Sequence, residues 1–353
     1  LSDAFGHSGI RVIDRVNDYD IVFNYGVYDF NAPNFYGNFV KGRPIYSLGL
    51  NNYENFYKNY VNQSRQIIEQ KLDLSEYQKR IFVNKLITNS KEANKFYEYN
   101  YFENNCSTKI ADIFNEILEE DIKNEGLHKV NVGPNSYRKL VYENINPNSW
   151  GALGIDICLG AIIDKNINSQ DELFLPYNLK SYFDDLGNSN IRNGNLVTTS
   201  VLFGEYSKYT ETLISPIYLL LILSLIIISI TYIDYLRRTR SVLLDSIVLL
   251  ITGIIGLLLI YLWFFSNHTA SAWNYNLLWA IPFNLILFIE LLKKKQKKWV
   301  ISYLKLIIIM LLLMCLHWVV GVQVFNISLI SLILALIIRY FYLIKYFTNS
   351  IRE

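Results

Sequence analysis

Polar and apolar positions divide the chain into two halves. Up to about Tyr209 apolar residues recur at strand or helix periods, and after Thr212 they merge into long Leu/Ile runs. In the first half, FGHSGIRVID (Phe5–Asp14) alternates at period two. That places His7, Gly9, Arg11 and Ile13 on one face and Ser8, Ile10, Val12 and Asp14 on the other. The turn-like RVND leads into DIVFNYGVYDF (Asp20–Phe30), a run of β formers, so the two predict an antiparallel hairpin. In that hairpin His7 lies opposite a residue within Asn24–Tyr28. A third strand is expected near Pro44–Leu50. Tyr53, Phe56, Tyr57, Tyr60, Ser64, Ile67 and Ile68 fall at helical spacing. Ser75 with Gln78 reads as a capping box ahead of Ile81 and Phe82.

The stretch YFENNCSTKIADIFNEIL (Tyr101–Leu118) predicts a further helix. Ile110, Ile113, Phe114, Ile117 and Leu118 form its buried stripe, Asn105 its N-cap, and Cys106 lies in its first turn. Beyond it, Trp150–Ile167 is apolar and glycine-containing, Glu172–Leu186 reads as a docking segment with a short helix, and Val197–Tyr206 as a last strand.

The second half contains five apolar runs, each about 20 residues and so long enough to span a bilayer as a helix. They are Ile214–Ile233, Val242–Phe265, Asn276–Leu292, Trp299–Val320 and Ile327–Tyr346; the third is the shortest and contains Pro282. The pattern therefore predicts an α+β domain over residues 1–209 and an α-helical transmembrane bundle of about five spans over 213–353. Basic residues set the orientation. Arg237, Arg238 and Arg240 lie between the first two runs, and Lys293, Lys294, Lys295, Lys297 and Lys298 between the third and fourth. The loops 266–275 and 321–326 contain no Lys or Arg. The positive-inside rule puts the C-terminus in the cytoplasm and the polar domain outside. Asp245, Glu290, Lys305 and Arg339 fall near the cytoplasmic ends, where their charges are expected to snorkel.

Composition adds less. The net charge of +2 hides a segregated distribution, and three cysteines are too few for a disulfide framework. Cys315, within an apolar run, reads as core. The chain starts without Met and mid-motif, so upstream residues, a targeting segment among them, are expected. No CxxC or HxxxH spacing predicts a metal, no glycine-rich loop a phosphate cofactor, and no Lys/Arg stripe a nucleic acid.

Cys106 is the candidate nucleophile, because a helix N-terminus stabilises a thiolate. It needs a base, and the polar half offers His7 and His128. His7 sits among Gly6, Ser8 and Gly9, which leave room for a substrate. A strand histidine facing a helix-start cysteine is the papain-like arrangement, in which imidazole takes the thiol proton. Asn24, Tyr25 or Tyr28 is expected to orient the ring, with Asn24 preferred. The backbone N–H groups at the helix start, with Asn104 or Asn105, are candidates for holding an oxyanion. Arg11 and Tyr25 are further candidate substrate contacts. On the other side, WFFSNHTASAWNYNLLWAIP (Trp263–Pro282) brings His268, Asn274 and Asn276 among tryptophans at the outer interface, as candidate headgroup or acceptor contacts. The rival accounts are a Cys106–Cys158 disulfide and a non-enzymatic receptor with a structural Cys106.

FGHSGIRV, FNYGVYDFNAPNFYGNFVKGR, YFENNCSTKI, LGAIIDKNI with ELFLPYNL, and NHTASAWNYNLLWAIP together resemble the Lnb-type lipoprotein N-acyltransferases. The resemblance runs from Phe5 to about Pro282. It implies a circularly permuted, NlpC-type papain-like domain in the periplasm, followed by a membrane bundle in the bacterial inner membrane. It further implies that Cys106 is acylated, that His7 is its base, and that no cofactor takes part. The acyl chain would pass from a phospholipid to the α-amino group of a diacylglyceryl-cysteine on a lipoprotein. The alternative is a membrane-tethered cysteine amidase or peptidase acting on cell-wall peptides.

Overall fold

The computed structural model describes residues 2–125, 135–188, 197–204, 214–293 and 295–352. His128 lies outside them. The chain forms two compact units, Leu1–Asn144 with Asn166–Tyr209, and Ile145–Lys165 with Thr210–Glu353.

The first unit is built on an antiparallel hairpin. Strand β1 (Ile10–Asp14) pairs with β2 (Tyr19–Val27) in the register Ile10↔Phe23 to Asp14↔Tyr19. Residues Gly6–Gly9 continue toward β2 without joining the ladder, because Gly6 turns the chain at φ +77°. After the short helix α1 (Phe35–Val40), β3 (Ile45–Asn52) pairs with β2. Asn24 faces Gly49 and Val27 faces Ser47, so Tyr25 and Gly26 together oppose Leu48. This β-bulge kinks β2 and re-aims its side chains.

Helix α2 (Tyr53–Asn62) is capped by Asn52, whose side chain accepts from the Glu54 and Asn55 amides. The predicted helix ends there. Ile67 and Ile68, read as its last turn, open strand β4 (Ile67–Leu72), whose partner β6 (Val197–Phe203) comes from far along the chain. Helix α3 (Glu76–Ser90) starts on the predicted Ser75–Gln78 capping box. Strand β5 (Phe96–Glu98) completes the sheet β1-β2-β3-β5. Helices α4 (Cys106–Glu125), α5 (Tyr137–Asn144) and α7 (Pro176–Asn188) also belong to this unit. Ile110, Ile113, Phe114 and Leu118 of α4 are buried against Phe23, Tyr25 and Leu48 of the sheet and Phe183 of α7. That burial fixes where the first turn of α4 meets the sheet.

The second unit contains four helices, among the described residues, that are long and apolar enough to cross a membrane. They are α8 (Pro216–Arg237), α9 (Val242–Ile260, continued by a wider turn to Phe265), α11 (Trp299–Val320) and α12 (Leu329–Arg352). Leu223, Ile226, Ile309, Leu312 and Leu334 are exposed on them, as lipid-facing positions should be. The third predicted run, Asn276–Leu292, is interrupted. A short turn at Tyr275–Leu278 and Pro282 precede an eight-residue helix, α10 (Asn284–Leu291), which packs on α9. Asn284 donates to Thr252 on α9 and accepts from Tyr303 on α11.

Two of the charges expected to snorkel do not. Arg339, 1% exposed, donates to Asp234 and Asp245 at 2.7 Å each, so α8, α9 and α12 share a buried ion cluster. Lys305 is exposed, and Glu290 is held by Lys293 and the Lys297 amide. Cys315 is exposed on α11, not in the core.

Ile145–Lys165 packs with the second unit, although it lies within the polar half of the sequence. It carries α6 (Trp150–Cys158), capped by Ser149. Gly160 is pressed against the 270–274 turn, where an added Cβ would lie 1.9 Å from the Ala272 carbonyl oxygen. Only glycine permits that approach.

Candidate active site

Asn105 caps α4 with its side-chain oxygen, which accepts from the Ser107 and Thr108 amides at 2.8 and 3.0 Å. Its side-chain nitrogen donates to the Tyr101 and Phe174 carbonyls, and Thr108 Oγ1 accepts from its backbone amide. Asn105 is therefore fully committed, and Cys106 stands fixed at the first helical position. The hairpin brings the base to it. Continuing the β1–β2 register places His7 opposite Gly26, and an added Gly26 Cβ would touch Cys106 Cβ at 3.7 Å and His7 Cε1 at 3.9 Å. Gly26 has φ +89° and no side chain to cover the sulfur. Both the bulge and the glycine serve this approach.

The His7 ring neighbours Cys106 across Gly26 and hydrogen-bonds Asn24. Nε2 lies 2.6 Å from Asn24 Oδ1, and Asn24 Nδ2 donates to Asn51 Oδ1 at 3.3 Å. An oxygen facing Nε2 makes Nε2 the protonated nitrogen, which leaves the Nδ1 lone pair for the thiol. Burial pushes the Cys106 thiol up, but the hydrogen bond and charge of His7, the Ser8 amide and the Ser107 hydroxyl outweigh it, so the thiol sits below its ordinary value. Burial likewise lowers His7, yet Cys106 and Asn24 raise it overall. Each partner stabilises the other's charged form, the electrostatic condition for a thiolate–imidazolium pair. Ser8 Oγ and Ser107 Oγ, 3.1 Å apart, tie the β1 approach to α4.

Three tyrosines come from β5 and the following turn, and the hydroxyl of the first, Tyr97, lies with Cys106 beside Gly26. Burial first, with Cys106 among the charged neighbours, holds Tyr97, Tyr99 and Tyr101 well above the usual phenol range. Tyr97 Oη faces the Gly26 amide but finds no acceptor for its own proton among the described residues. Sequence reasoning passed over Tyr97, Ser8 and Ser107. Their only signal was proximity to His7 and Cys106 in a stretch crowded with tyrosines.

The other sequence candidates have structural employment. Arg11 makes a two-pronged ion pair with Asp20, a third bond to Glu69 at 2.7 Å, and lies over the Tyr53 ring, so its donors join β1, β2 and β4 rather than a substrate. Tyr25 is buried and accepts from Asn89. Asn104 donates to the Glu98 carbonyl. In the second unit Asn274 and Asn276 are buried, and both donate to carbonyls of residues 156–157. Asn274 Oδ1 caps the Asn276 amide, and Asn276 Oδ1 accepts from Trp279. Their amides hold α6 and are not open to a headgroup. His268 is half-buried at the start of a short turn. Cys106 and Cys158 are both free thiols, not a disulfide.

Residues 1–143 match the profile of the Lnb N-terminal periplasmic domain, and residues 208–350 match that of the Lnb transmembrane domain. The chain belongs to the Lnb family. The Lnb match makes it a membrane protein whose first domain, with the Cys106–His7–Asn24 site, is periplasmic. No curated protein and no solved structure matches this Lnb chain.

Proposed function

We propose that this protein is a thiol acyltransferase of the bacterial inner membrane, with its C-terminus in the cytoplasm. It moves an acyl chain from a phospholipid, through a thioester on Cys106, to the α-amino group of a diacylglyceryl-cysteine lipoprotein. The observation that carries the reading is the pairing of His7 with a helix-start Cys106 in a chain with membrane-length helices. A thiolate is the nucleophile for an ester carbonyl, and donor and acceptor are both lipids that a membrane enzyme meets by lateral diffusion.

His7 Nδ1 takes the Cys106 proton, and the sulfur attacks the ester carbonyl carbon. The carbonyl electrons move onto oxygen. Asn105 already occupies the Ser107 and Thr108 amides, so the oxyanion is left to the Cys106 N–H and the unengaged Tyr97 O–H. The tetrahedral species collapses, the ester C–O bond breaks, and the imidazolium protonates the departing lysophospholipid oxygen. The lipoprotein amine then attacks the thioester. His7 takes its proton, the C–S bond breaks, and the proton returns to sulfur. Asn24 holds the ring in the required tautomer throughout.

Intact-mass analysis of protein purified from membranes tests the first half. The expected result is a fatty-acyl adduct, lost on hydroxylamine treatment and absent in Cys106→Ala. An adduct that persists in Cys106→Ala places the chemistry elsewhere.

A further inference from the structure

Between β2 and β3 the chain leaves the sheet two residues after Gly26, which lies against Cys106 and His7, and returns at Ile45. The loop is compact. The Ala32 amide donates to the Asp29 carbonyl, the Arg43 amide to the Asn38 carbonyl, and Asn34 takes a left-handed φ of 58° to start α1. This frame buries Phe35 but turns other aromatics outward: Phe30 is 55% exposed, Tyr36 69% and Phe39 51%. A soluble domain seldom displays so many neighbouring rings without a surface to receive them.

The patch continues inward. Phe30 packs on Tyr28 at 4.7 Å, Tyr28 on Tyr46 at 5.2 Å, and Tyr46 stacks on Tyr99 at 4.2 Å. Aromatic rings thus pack in an unbroken series from the exposed loop to Tyr99, two residues after Tyr97, whose hydroxyl lies with Cys106 beside Gly26.

We propose that the 28–43 loop is a lipid-contact surface, which enters the interface of a phospholipid bilayer and passes an acyl chain along Tyr28, Tyr46 and Tyr99 to Cys106. Amphipathic rings are the side chains that favour the headgroup level of a membrane. Lys41 and Arg43 outnumber the loop's one carboxylate, Asp29, so the charge balance suits lipid phosphates. The same chain carries four helices of membrane-spanning length among its described residues. The delivery step rests on the acyl-transfer reading above; the lipid contact does not.

The test uses the full chain carrying Cys106→Ala, in nanodiscs of phosphatidylethanolamine and phosphatidylglycerol, with p-benzoylphenylalanine in place of Tyr36, Phe39 or the comparably exposed Tyr77 of α3. Irradiation and mass spectrometry are expected to show phospholipid adducts at positions 36 and 39 and none at 77. Equal yields at all three positions, no lipid adduct, or cross-links to protein alone overturn the contact. In the otherwise wild-type chain, Tyr36→Ser with Phe39→Ser should lower the Cys106 acyl adduct at least about 10-fold. Iodoacetamide should label Cys106 at the unchanged rate. An undiminished adduct overturns delivery through the loop. Lipid cross-links in a chain that never acylates Cys106 would contradict the acyl-transfer reading and leave the contact standing.

Discussion

Asn24 Oδ1 lies 2.6 Å from His7 Nε2. With Asn24 Oδ1 as acceptor, Nε2 holds the proton and the Nδ1 lone pair is left for Cys106. Asn24 is itself steadied by Asn51, so the imidazole is aimed by β2 and β3 together.

Asn24→Ala should therefore weaken catalysis without unfolding the domain. The loss of one orienting hydrogen bond is worth about 1–2 kcal/mol, or about 10-fold in the rate of Cys106 acylation. Asn24→Gln, with the same amide on a longer stem, should recover only part. Single-turnover acylation rates with circular dichroism as a fold control provide the check.

His7 should govern the pH at which Cys106 becomes reactive. With His7 present the thiol lies below its ordinary value, so alkylation begins at lower pH than for a free thiol. In His7→Ala burial is opposed only by the Ser8 amide and the Ser107 hydroxyl, and the titration moves up. At neutral pH the alkylation rate should then fall by about 10-fold or more. The rate of Cys106 carbamidomethylation against pH reads the shift. A profile that His7→Ala leaves in place would contradict the pairing.

Tyr97→Phe separates oxyanion binding from nucleophile activation. It removes a buried proton donor that has no acceptor among the described residues. Acylation should fall by about 100-fold, the usual effect of losing one oxyanion donor. The pH profile of Cys106 alkylation should stay close to that of the wild type. Comparing both rates in one preparation gives the answer.

Arg339→Met tests the ion cluster shared by α8, α9 and α12. It leaves Asp234 and Asp245 buried without their cation, at a cost of about 3–5 kcal/mol. Thermal unfolding in detergent should fall accordingly. Adding Asp234→Asn and Asp245→Asn should restore part of the loss, because both buried carboxylates are then neutral, while Arg240, 3.9 Å from Asp245, loses its partner.

What the sequence disclosed was local. The α4 stripe of Ile110, Ile113, Phe114 and Leu118, the Asn105 cap and the hairpin all follow from spacing within some twenty residues. Spacing alone left His7 opposite a window, Asn24–Tyr28, and the pairing of Ile10 with Phe23 narrows it to Gly26. Features with distant partners were hidden. Ile67 and Ile68 looked helical because β6, which makes them a strand, comes much later. Helix α6 read as part of the periplasmic domain because Asn274, Asn276 and Asn326 hold it from beyond α9. Asn274 and Asn276 looked like headgroup ligands for the same reason, their acceptors being invisible from their own neighbourhood. Tyr97 carried no pattern, since a three-residue strand has no periodicity to read.

The most direct test of acyl transfer supplies the reconstituted protein with phospholipid and a diacylated lipopeptide and follows the peptide by mass spectrometry. The account predicts one added acyl chain in amide linkage on the peptide's α-nitrogen, matched by lysophospholipid, with both products lost in Cys106→Ala and His7→Ala. Cleavage of a peptide bond with no acyl gain would instead identify a cysteine amidase and contradict it.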